Sequence, residues 1–483
     1  MIALTTIQAI ELALLIGGYA MAVALLPRVI VARRESAATL SWILALLLIP
    51  YVGMLFYWIF GEVRLHRTTR RRRSTKRLLA QALADERERR RIAAVSSPDP
   101  TDDDVVHLVA RITGVPAVGG NAIQIFADPD VATERMIAAI DGATSTIHFE
   151  VYQFKKDESG TLYRDHLAAA ARRGVTVRLL VDDVGSLWTP RSFFRPIMEA
   201  GGEVERFLPV NLLRGLYHAN LRNHRKILVV DGARAFTGGL NVGDEYGGLR
   251  KRRFGPWRDT HVELRGPVVA SLQDTFVEDW VFATHREIAV EEAFPDLEPA
   301  GAEVVQVIAS GPDSDWESIH HAIFAAVTGA QHHAYLTTPY FVPDRALLVA
   351  MQTAALRGVD VRVLLPERSD HFLVRAAGRY HYEELLRAGI RVYEFGKGML
   401  HAKTLEIDHR CAMIGSANLD LRSFRLNFEL NVAAYGSGVA AEVHSQFLRD
   451  LEDSREITRG VVARWSYGRR LLHATVRLLE GLL

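Results

Sequence analysis

The 483-residue chain is long enough to bury the cores of two ordinary domains, so its size excludes little beyond a small stapled fold. Its 58 basic and 57 acidic residues nearly cancel, and the resulting formal charge of +1 argues against an overall polyanion-binding surface. The single cysteine, Cys411, excludes an intrachain disulfide, and its apolar surroundings mark it for packing.

Residues 1–63 read as a two-helix membrane anchor. Ile7 to Pro27 and Leu40 to Phe60 are each about one membrane thickness of nearly uncharged residues, with Glu11 the exception, and predict two transmembrane helices. The start of the chain lacks the positive charge of a signal peptide. Trp42, Tyr51, Tyr57 and Trp58 are suited to the membrane interface. Arg64, Arg67, Arg70 to Arg73, Lys76 and Arg77 then follow without one acid among them, as a segment lying on anionic lipid would. This cluster outweighs Arg28, Arg33 and Arg34, and so predicts a multi-pass cell-membrane protein with its N-terminus and bulk in the cytoplasm. A shallow re-entrant or tilted first segment is the open alternative. The basic juxtamembrane segment and linker, residues 64–104, end in turn-formers that include Ser96, Ser97, Pro98 and Pro100.

From Val105 onward two halves, residues 105–300 and 301–459, repeat one order of elements. Met136 to Asp141, Gly142, Ala143 and a strand from Thr146 to Phe154 recur as Ala322 to Val327, Gly329, Ala330 and a strand ending at Phe341. Ala170 to Arg173, Gly174 and Val175 to Val181 recur as Ala354 to Arg357, Gly358 and Val359 to Leu365, and Ala200-Gly201 before Val204 recurs as Ala388-Gly389 before Val392. Apolar runs of strand length alternating with helical patterns predict the α/β class, with a largely buried sheet in each half and the two similar domains packed about a pseudo-twofold axis. Residues 460–483 combine Trp465, Leu471, Leu472, Val476, Leu478 and Leu479 with Arg464, Arg469, Arg470 and Arg477. They predict a basic amphipathic C-terminal helix, suited either to the membrane surface or to packing on the catalytic region.

Each half then carries the same polar constellation. His224, Lys226, Asp231, Gly238, Gly239 and Asn241 recur with identical spacing as His401, Lys403, Asp408, Gly415, Ser416 and Asn418. His and Lys two apart at the start of a strand point to the same face and can converge on one anion. A lone His-x-Lys pair is ordinary on a strand edge, whereas two copies in register are not. Phosphodiester exchange needs a nucleophile, an acid for the leaving alkoxide and cations for the phosphoryl oxygens, and two His with two Lys supply all three. An imidazole near its usual pKa of about 6.5 serves either as nucleophile or as acid, so the two must be held in different states. Asp259 and Glu429, each following its half's motif beside a core-like strand, are the carboxylates expected to orient the histidines. Asp231 and Asp408, counted with the catalytic residues as members of the two motifs, end their strands at tight turns and are expected to bind backbone groups instead, mainly as scaffolding.

These residues resemble the phospholipase D superfamily, with both of its HKD motifs intact. The first runs Asn220-Leu221-Arg222-Asn223-His224-Arg225-Lys226 through Asp231 to Gly238-Gly239-Leu240-Asn241. The second runs His401-Ala402-Lys403 through Gly415-Ser416-Ala417-Asn418-Leu419-Asp420-Leu421-Arg422-Ser423-Phe424 to Asn427-Phe428-Glu429 and is similar to the bacterial cardiolipin synthases in particular, as is the hydrophobic segment Leu40 to Gly61. The resemblance implies that His224 is the nucleophile and His401 the general acid and then base. It also implies that Lys226, Lys403, Asn241 and Asn418 hold the phosphate. Ser416, which replaces Gly239, adds a phosphate-binding hydroxyl in one copy only. Which carboxylate serves which histidine stays open.

The activity implied is phosphatidyl transfer between two phosphatidylglycerols in the bilayer, without cofactor or metal, since one phosphodiester is exchanged for another. A phospholipase D or a phosphatidyltransferase with a different acceptor shares every catalytic residue. Two membrane spans and the neutral charge disfavour a nuclease, so no nucleic acid partner is expected. The oligomeric state is not legible.

Overall fold

The computed structural model describes residues 6–31, 36–60, 72, 104–209, 220–246, 255–289, 293–478 and 480. The basic run from Arg64 to Arg77, Arg72 excepted, and the linker to residue 103 lie outside the described residues. Two units result, one built on residues 1–74 and 210–221 and the other on residues 75–209 and 222–483.

In the first unit, helix α1 (Thr6–Val31) contains a stretch from Ile10 to Val31 with mean hydropathy 2.0. Its 22 residues reach about 33 Å, enough to cross a bilayer core of about 30 Å. The second expected span is interrupted. Helix α2 (Ser36–Leu48) stops before Ile49, and α3 (Pro50–Phe60) starts at Pro50. Proline offers no N–H to the preceding turn and pushes the residue before it out of the helical region, so a helix ends there. The chain folds back sharply at this point: a Cβ on Gly53 would collide with the Ala45 carbonyl oxygen, although a straight helix would hold the Cα atoms of these two residues about 12 Å apart. Trp42 and Tyr57 meet edge to face at 5.3 Å across this hairpin, and Tyr57, expected at the membrane interface, is buried. At 13 and 11 residues, α2 and α3 reach only about 20 Å and 17 Å, so a helical hairpin stands in place of a second continuous span.

The second unit is built on one sheet. The first half supplies β1 (Val118–Phe126), β2 (Thr146–Val151), β3 (Thr176–Asp182), β4 (Glu203–Phe207), β5 (Arg222–Asn223), β6 (Ile227–Val230), β7 (Arg234–Gly238), β8 (Trp257–Arg258) and β9 (His261–Arg265). From the second half come β10 (Glu303–Ser310), β11 (His333–Thr337), β12 (Phe341–Val342), β13 (Asp360–Pro366), β14 (Arg391–Phe395), β15 (Met399–Leu400), β16 (Thr404–Ile407), β17 (Cys411–Gly415), β18 (Leu419–Asp420), β19 (Asn427–Tyr435) and β20 (Ser454–Ile457). The sheet order is β20-β14-β13-β11-β16-β17-β19-β10-β1-β9-β7-β6-β2-β3-β4. Read outward from the centre, β1-β9-β7-β6-β2-β3-β4 and β10-β19-β17-β16-β11-β13-β14 are the same order, as the repeated sequence pattern requires. The expected sheet in each half is one mixed sheet, because β1 and β10 pair antiparallel, with Val118 opposite Val305. Runs such as Ile227 to Val230 are buried throughout, and helices such as α4 (Glu158–Arg172), α5 (Val269–Thr284) and α6 (Arg345–Leu356) cover the faces. Cys411 is buried in β17.

Each His-x-Lys strand ends in a β-turn whose two central residues have left-handed backbone, Asp231-Gly232 (φ 51° and 62°) and Asp408-His409 (φ 52° at both). The Asp231 carboxylate accepts the backbone N–H groups of Thr144, Ser145 and Thr146 at 2.7 to 3.2 Å, and Asp408 accepts those of Gln331, His332 and His333 at 2.7 to 2.8 Å. Each aspartate thus fastens the entry of the neighbouring antiparallel strand, β2 or β11.

Beyond β20 the expected C-terminal helix is two, α9 (Arg459–Ala463) and α10 (Tyr467–Arg477), separated where the Ser466 hydroxyl accepts the Arg469 N–H and caps a new start. Helix α10 packs Val476 on Ala376 and Ala377 of α7 (Phe372–Tyr380), and Arg477 lies over the Tyr380 ring at 4.6 Å. Packing on the catalytic unit, one of the two readings of this segment, is the arrangement seen, while Tyr467, Leu471, Leu472 and Leu478 remain exposed.

Replacing Asp231 by Ala strands three strand-entry N–H groups, so it is expected to lower stability by about 1–3 kcal/mol. Thermal unfolding of the purified protein would show this as a drop of several degrees, and an unchanged midpoint would contradict the clamp.

Candidate active site

Short strands deliver the two histidines. β5 pairs in parallel with the start of β19, and the His224 N–H donates to the Phe428 carbonyl at 2.8 Å. β15 pairs in parallel with β8, and the His401 N–H donates to the Arg258 carbonyl at 2.7 Å. Each histidine is therefore registered by a strand of the other half. Alternation along the backbone sends the residue between His and Lys to the opposite side. In the first half this is Arg225, buried in an ion pair with Asp279 of α5 at 2.7 Å and donating to the Glu429 carbonyl at 3.1 Å. In the second half it is the fully buried Ala402.

The carboxylates pair crosswise. Glu429 Oε2, of the second half, lies 2.9 Å from His224 Nδ1, and Asp259 Oδ2, of the first, lies 2.7 Å from His401 Nδ1. Both carboxylates are fully buried, where an unpaired charge is prohibitive, so each histidine is held by a group cut off from solvent. Glu429 also accepts from Ser416 Oγ at 2.5 Å and Asn427 Nδ2 at 3.1 Å, and Asp259 accepts from the Thr260 N–H at 2.7 Å. Burial opposes ionisation of both acids, yet the adjoining histidines and lysines hold both below the usual carboxylate range. With Nδ1–H given to a carboxylate, each ring presents Nε2 for chemistry.

Lys226 Nζ donates to the His224 carbonyl at 2.7 Å, and Lys403 Nζ to that of His401 at 2.5 Å. Burial pushes Lys226 down to about 7 against the pull of Glu429, and Lys403 down to about 8 against that of Asp259. Lys403 acts on Lys226, and Glu429 on Lys403, so the charges of both motifs share one field. Burial likewise pushes His224 down to about 4, with Glu429 opposing and Lys226 reinforcing. His401 is lowered by burial and then by Lys403, against Asp259. Before any anion arrives both imidazoles are neutral at pH 7, and a bound phosphodiester would raise every one of these groups.

The remaining predicted residues divide. Asn418 Oδ1 is buried without a hydrogen-bond partner among the described residues, as a ligand-facing amide would be. Asn241 is instead engaged, accepting the Gln153 N–H at 3.2 Å and donating to the Tyr246 hydroxyl at 2.7 Å. The Ser416 hydroxyl, expected on phosphate, is fully buried between Glu429 and the Leu430 N–H, which it accepts at 2.9 Å. Its counterpart Gly239 has no room for any side chain, because a Cβ there would lie 2.0 Å from Asp259 Oδ1. Asp231 and Asp408 sit at the far ends of their strands and do not join the histidines. Aromatic rings not singled out in the sequence complete the surroundings: Tyr152 stands 5.0 Å from the His224 ring, and Trp257 and Tyr246 stand 5.3 and 5.6 Å from that of His401. Only their places beside the motif strands signalled them.

Residues 136–250 and 323–451 match the family described as "Cardiolipin synthase, PLD-like domain", and residues 20–62 match "Phospholipase_D-nuclease N-terminal". The major cardiolipin synthase ClsA of Bacillus subtilis is 36% identical over 93% of this chain and 95% of its own length. Cardiolipin synthase 1 of Bacillus anthracis is 37% identical over 94% and 91%. Among solved structures, the phosphatidylserine synthase of Haemophilus influenzae shares the fold at a TM-score of 0.60 and 14% identity, over 78% of this chain and 100% of that one. Two intact motifs, a site completed crosswise and relatives similar over nearly their whole length agree that the chain belongs to the cardiolipin synthases of the phospholipase D-like family.

Proposed function

We propose that this chain transfers a phosphatidyl group from one phosphatidylglycerol to the hydroxyl of another, releasing glycerol and forming cardiolipin. The observation that carries the reading is the crosswise holding of His224 by Glu429 and His401 by Asp259, with two buried lysines beside them. Family membership supports the lipid class. His224 Nε2 attacks phosphorus as the phosphorus–oxygen bond to glycerol breaks, and His401 gives its Nε2 proton to the departing oxygen. The second lipid's hydroxyl then returns a proton to His401 while its oxygen displaces His224 from phosphorus. Lys226, Lys403 and Asn418 hold the phosphoryl oxygens through both steps, with Asn241 reaching them only by releasing Tyr246.

The repeated strand order supports two copies of one fold, residues 105–300 and 301–459, about a pseudo-twofold axis between β1 and β10. α1 and the α2–α3 hairpin anchor the chain in the cell membrane, and the basic run after α3 favours a cytoplasmic catalytic unit. There the acceptor hydroxyl is concentrated at the bilayer and competes with water for the phosphohistidine.

Purified protein added to phosphatidylglycerol liposomes is expected to give cardiolipin and glycerol, read by mass spectrometry of the lipids. Phosphatidic acid as the main product would mark a phospholipase D, and a phosphatidyl ester of added alcohol or ethanolamine lipid would mark another acceptor.

The histidines separate with a phosphatidyl nitrophenyl ester, whose leaving group needs no proton. His401→Ala should still release a burst of nitrophenolate and trap the covalent enzyme, whereas His224→Ala should release none; equal bursts would reverse or remove the assignment.

Because His224 is neutral above about 4 while Lys226 and Lys403 lose protons near about 7 and 8, kcat/KM should fall as pH rises through this upper range. A profile still rising at pH 9 would contradict the role of the lysines.

A further inference from the structure

The second half contains a cluster that the reaction does not use. His333 at the start of β11, Glu406 in β16, His409 in the turn after it and His444 in α8 (Ser437–Glu452) bring one ligand atom each within 4.8 Å of one another. Glu406 Oε2 lies 2.7 Å from His333 Nε2 and 3.0 Å from His444 Nδ1, and Glu406 Oε1 lies 3.8 Å from His409 Nδ1. The three imidazole centroids are 4.2 to 4.9 Å apart. A tetrahedral ion with bonds of 2.0–2.1 Å needs ligand atoms about 3.3 Å apart, so the two edges from Glu406 Oε2 to His333 and His444 fit with shifts of about half an ångström, and the remaining edges, none longer than 4.8 Å, close by about 1.5 Å at most.

The repeat supplies an internal control. The backbone clamps equate Asp231 with Asp408 and Thr146 with His333, which places Val229 where Glu406 stands and Gly232 where His409 stands. In the first half the same strands and turn are made with Thr146, Val229 and Gly232 at the positions of His333, Glu406 and His409, and Val229 is simply core. In the second half a fully buried carboxylate replaces that valine, and a histidine takes a left-handed turn position (φ 52°) that glycine fills without strain (φ 62°) in the first. Both substitutions cost stability unless they gain a shared partner. Three imidazoles and one carboxylate are the donor set of a borderline divalent transition ion, zinc above all.

We propose that His333, Glu406, His409 and His444 bind one zinc-class divalent ion, which ties β11, the β16–β17 turn and α8 together. The site is structural. His401 and Lys403 precede β16 while the cluster occupies its other end, five residues or about 16 Å along the chain from His401 to Glu406, so the ion braces the strand behind the reacting residues and touches no substrate. His409, half exposed, gives the ion its way in.

The test uses the untagged full-length protein in detergent, stripped with a chelator, dialysed and titrated with zinc chloride, and separately with cobalt chloride. Expected are about one zinc per chain by elemental analysis, the visible absorption of four-coordinate cobalt and a higher melting temperature with zinc. His409→Gly, which restores the turn residue of the first half and so should fold, and Glu406→Gln are each expected to weaken zinc binding at least about tenfold. His224→Ala should bind it as the parent does. No saturable uptake by the parent, or uptake unchanged in His409→Gly and Glu406→Gln, would overturn the site, as would loss of the zinc in His224→Ala. None of these readouts depends on which lipid the enzyme makes.

Discussion

A buried carboxylate needs a partner, and at this site each half obtains it from the other, Glu429 holding His224 and Asp259 holding His401. Glu429 lies in the core of the second half's longest strand and Asp259 at the lip of a first-half strand, both without solvent. Removing one member of such a pair leaves an uncompensated charge at a cost of about 3–5 kcal/mol, so the relative placement of the halves and the orientation of the histidines are one constraint. The parallel pairings β5–β19 and β8–β15 serve the same end, fixing the backbone height of each histidine against its partner acid. A site of this kind cannot be assembled within one half.

The two motifs differ where their carboxylates differ. Asp259, with the shorter side chain, lies so near the Gly-(Gly/Ser) bend that Gly239 tolerates no Cβ. Glu429 approaches its own bend differently, and Ser416 fills the space with a hydroxyl that binds the acid. Gly239 and Ser416 are therefore alternative answers to which carboxylate stands behind the bend. Spacing alone cannot reveal this, which is why Ser416 reads from sequence as a phosphate ligand.

Much else was legible because it rests on local chemistry. The duplicated spacing predicted equivalent strands, and the Asp-Gly and Asp-His turns predicted backbone capping by Asp231 and Asp408. The crosswise pairing was not legible, since His224 and Glu429 are 205 residues apart and nothing local prefers one partner to the other. The anchor misled for a different reason: hydropathy averages over Ile49-Pro50, whereas one missing N–H decides whether a helix continues. The histidine cluster was hidden in the same way as the pairing, with only Glu406 and His409 close in sequence and His333 and His444 brought in by the fold.

Residues equivalent in a repeat can take different tasks only where their surroundings diverge, and here they do. His224 faces Tyr152, the one aromatic ring against it among the described residues, and a carboxylate already sharing its charge with Ser416 and Asn427. His401 stands against Trp257 and Tyr246, with Lys403 Nζ 3.1 Å from its Nε2. A cation so near one imidazole disfavours its protonation until an anion occupies the space between, so in the proposed reaction His401 would gain its proton with the phosphodiester in place and lose it as the leaving group departs. His224, neutral over a wide range, needs no such trigger to attack. In the proposed reaction the same fold thus supplies a standing nucleophile and an acid armed by its own substrate, a division of labour suited to transfer between two lipids.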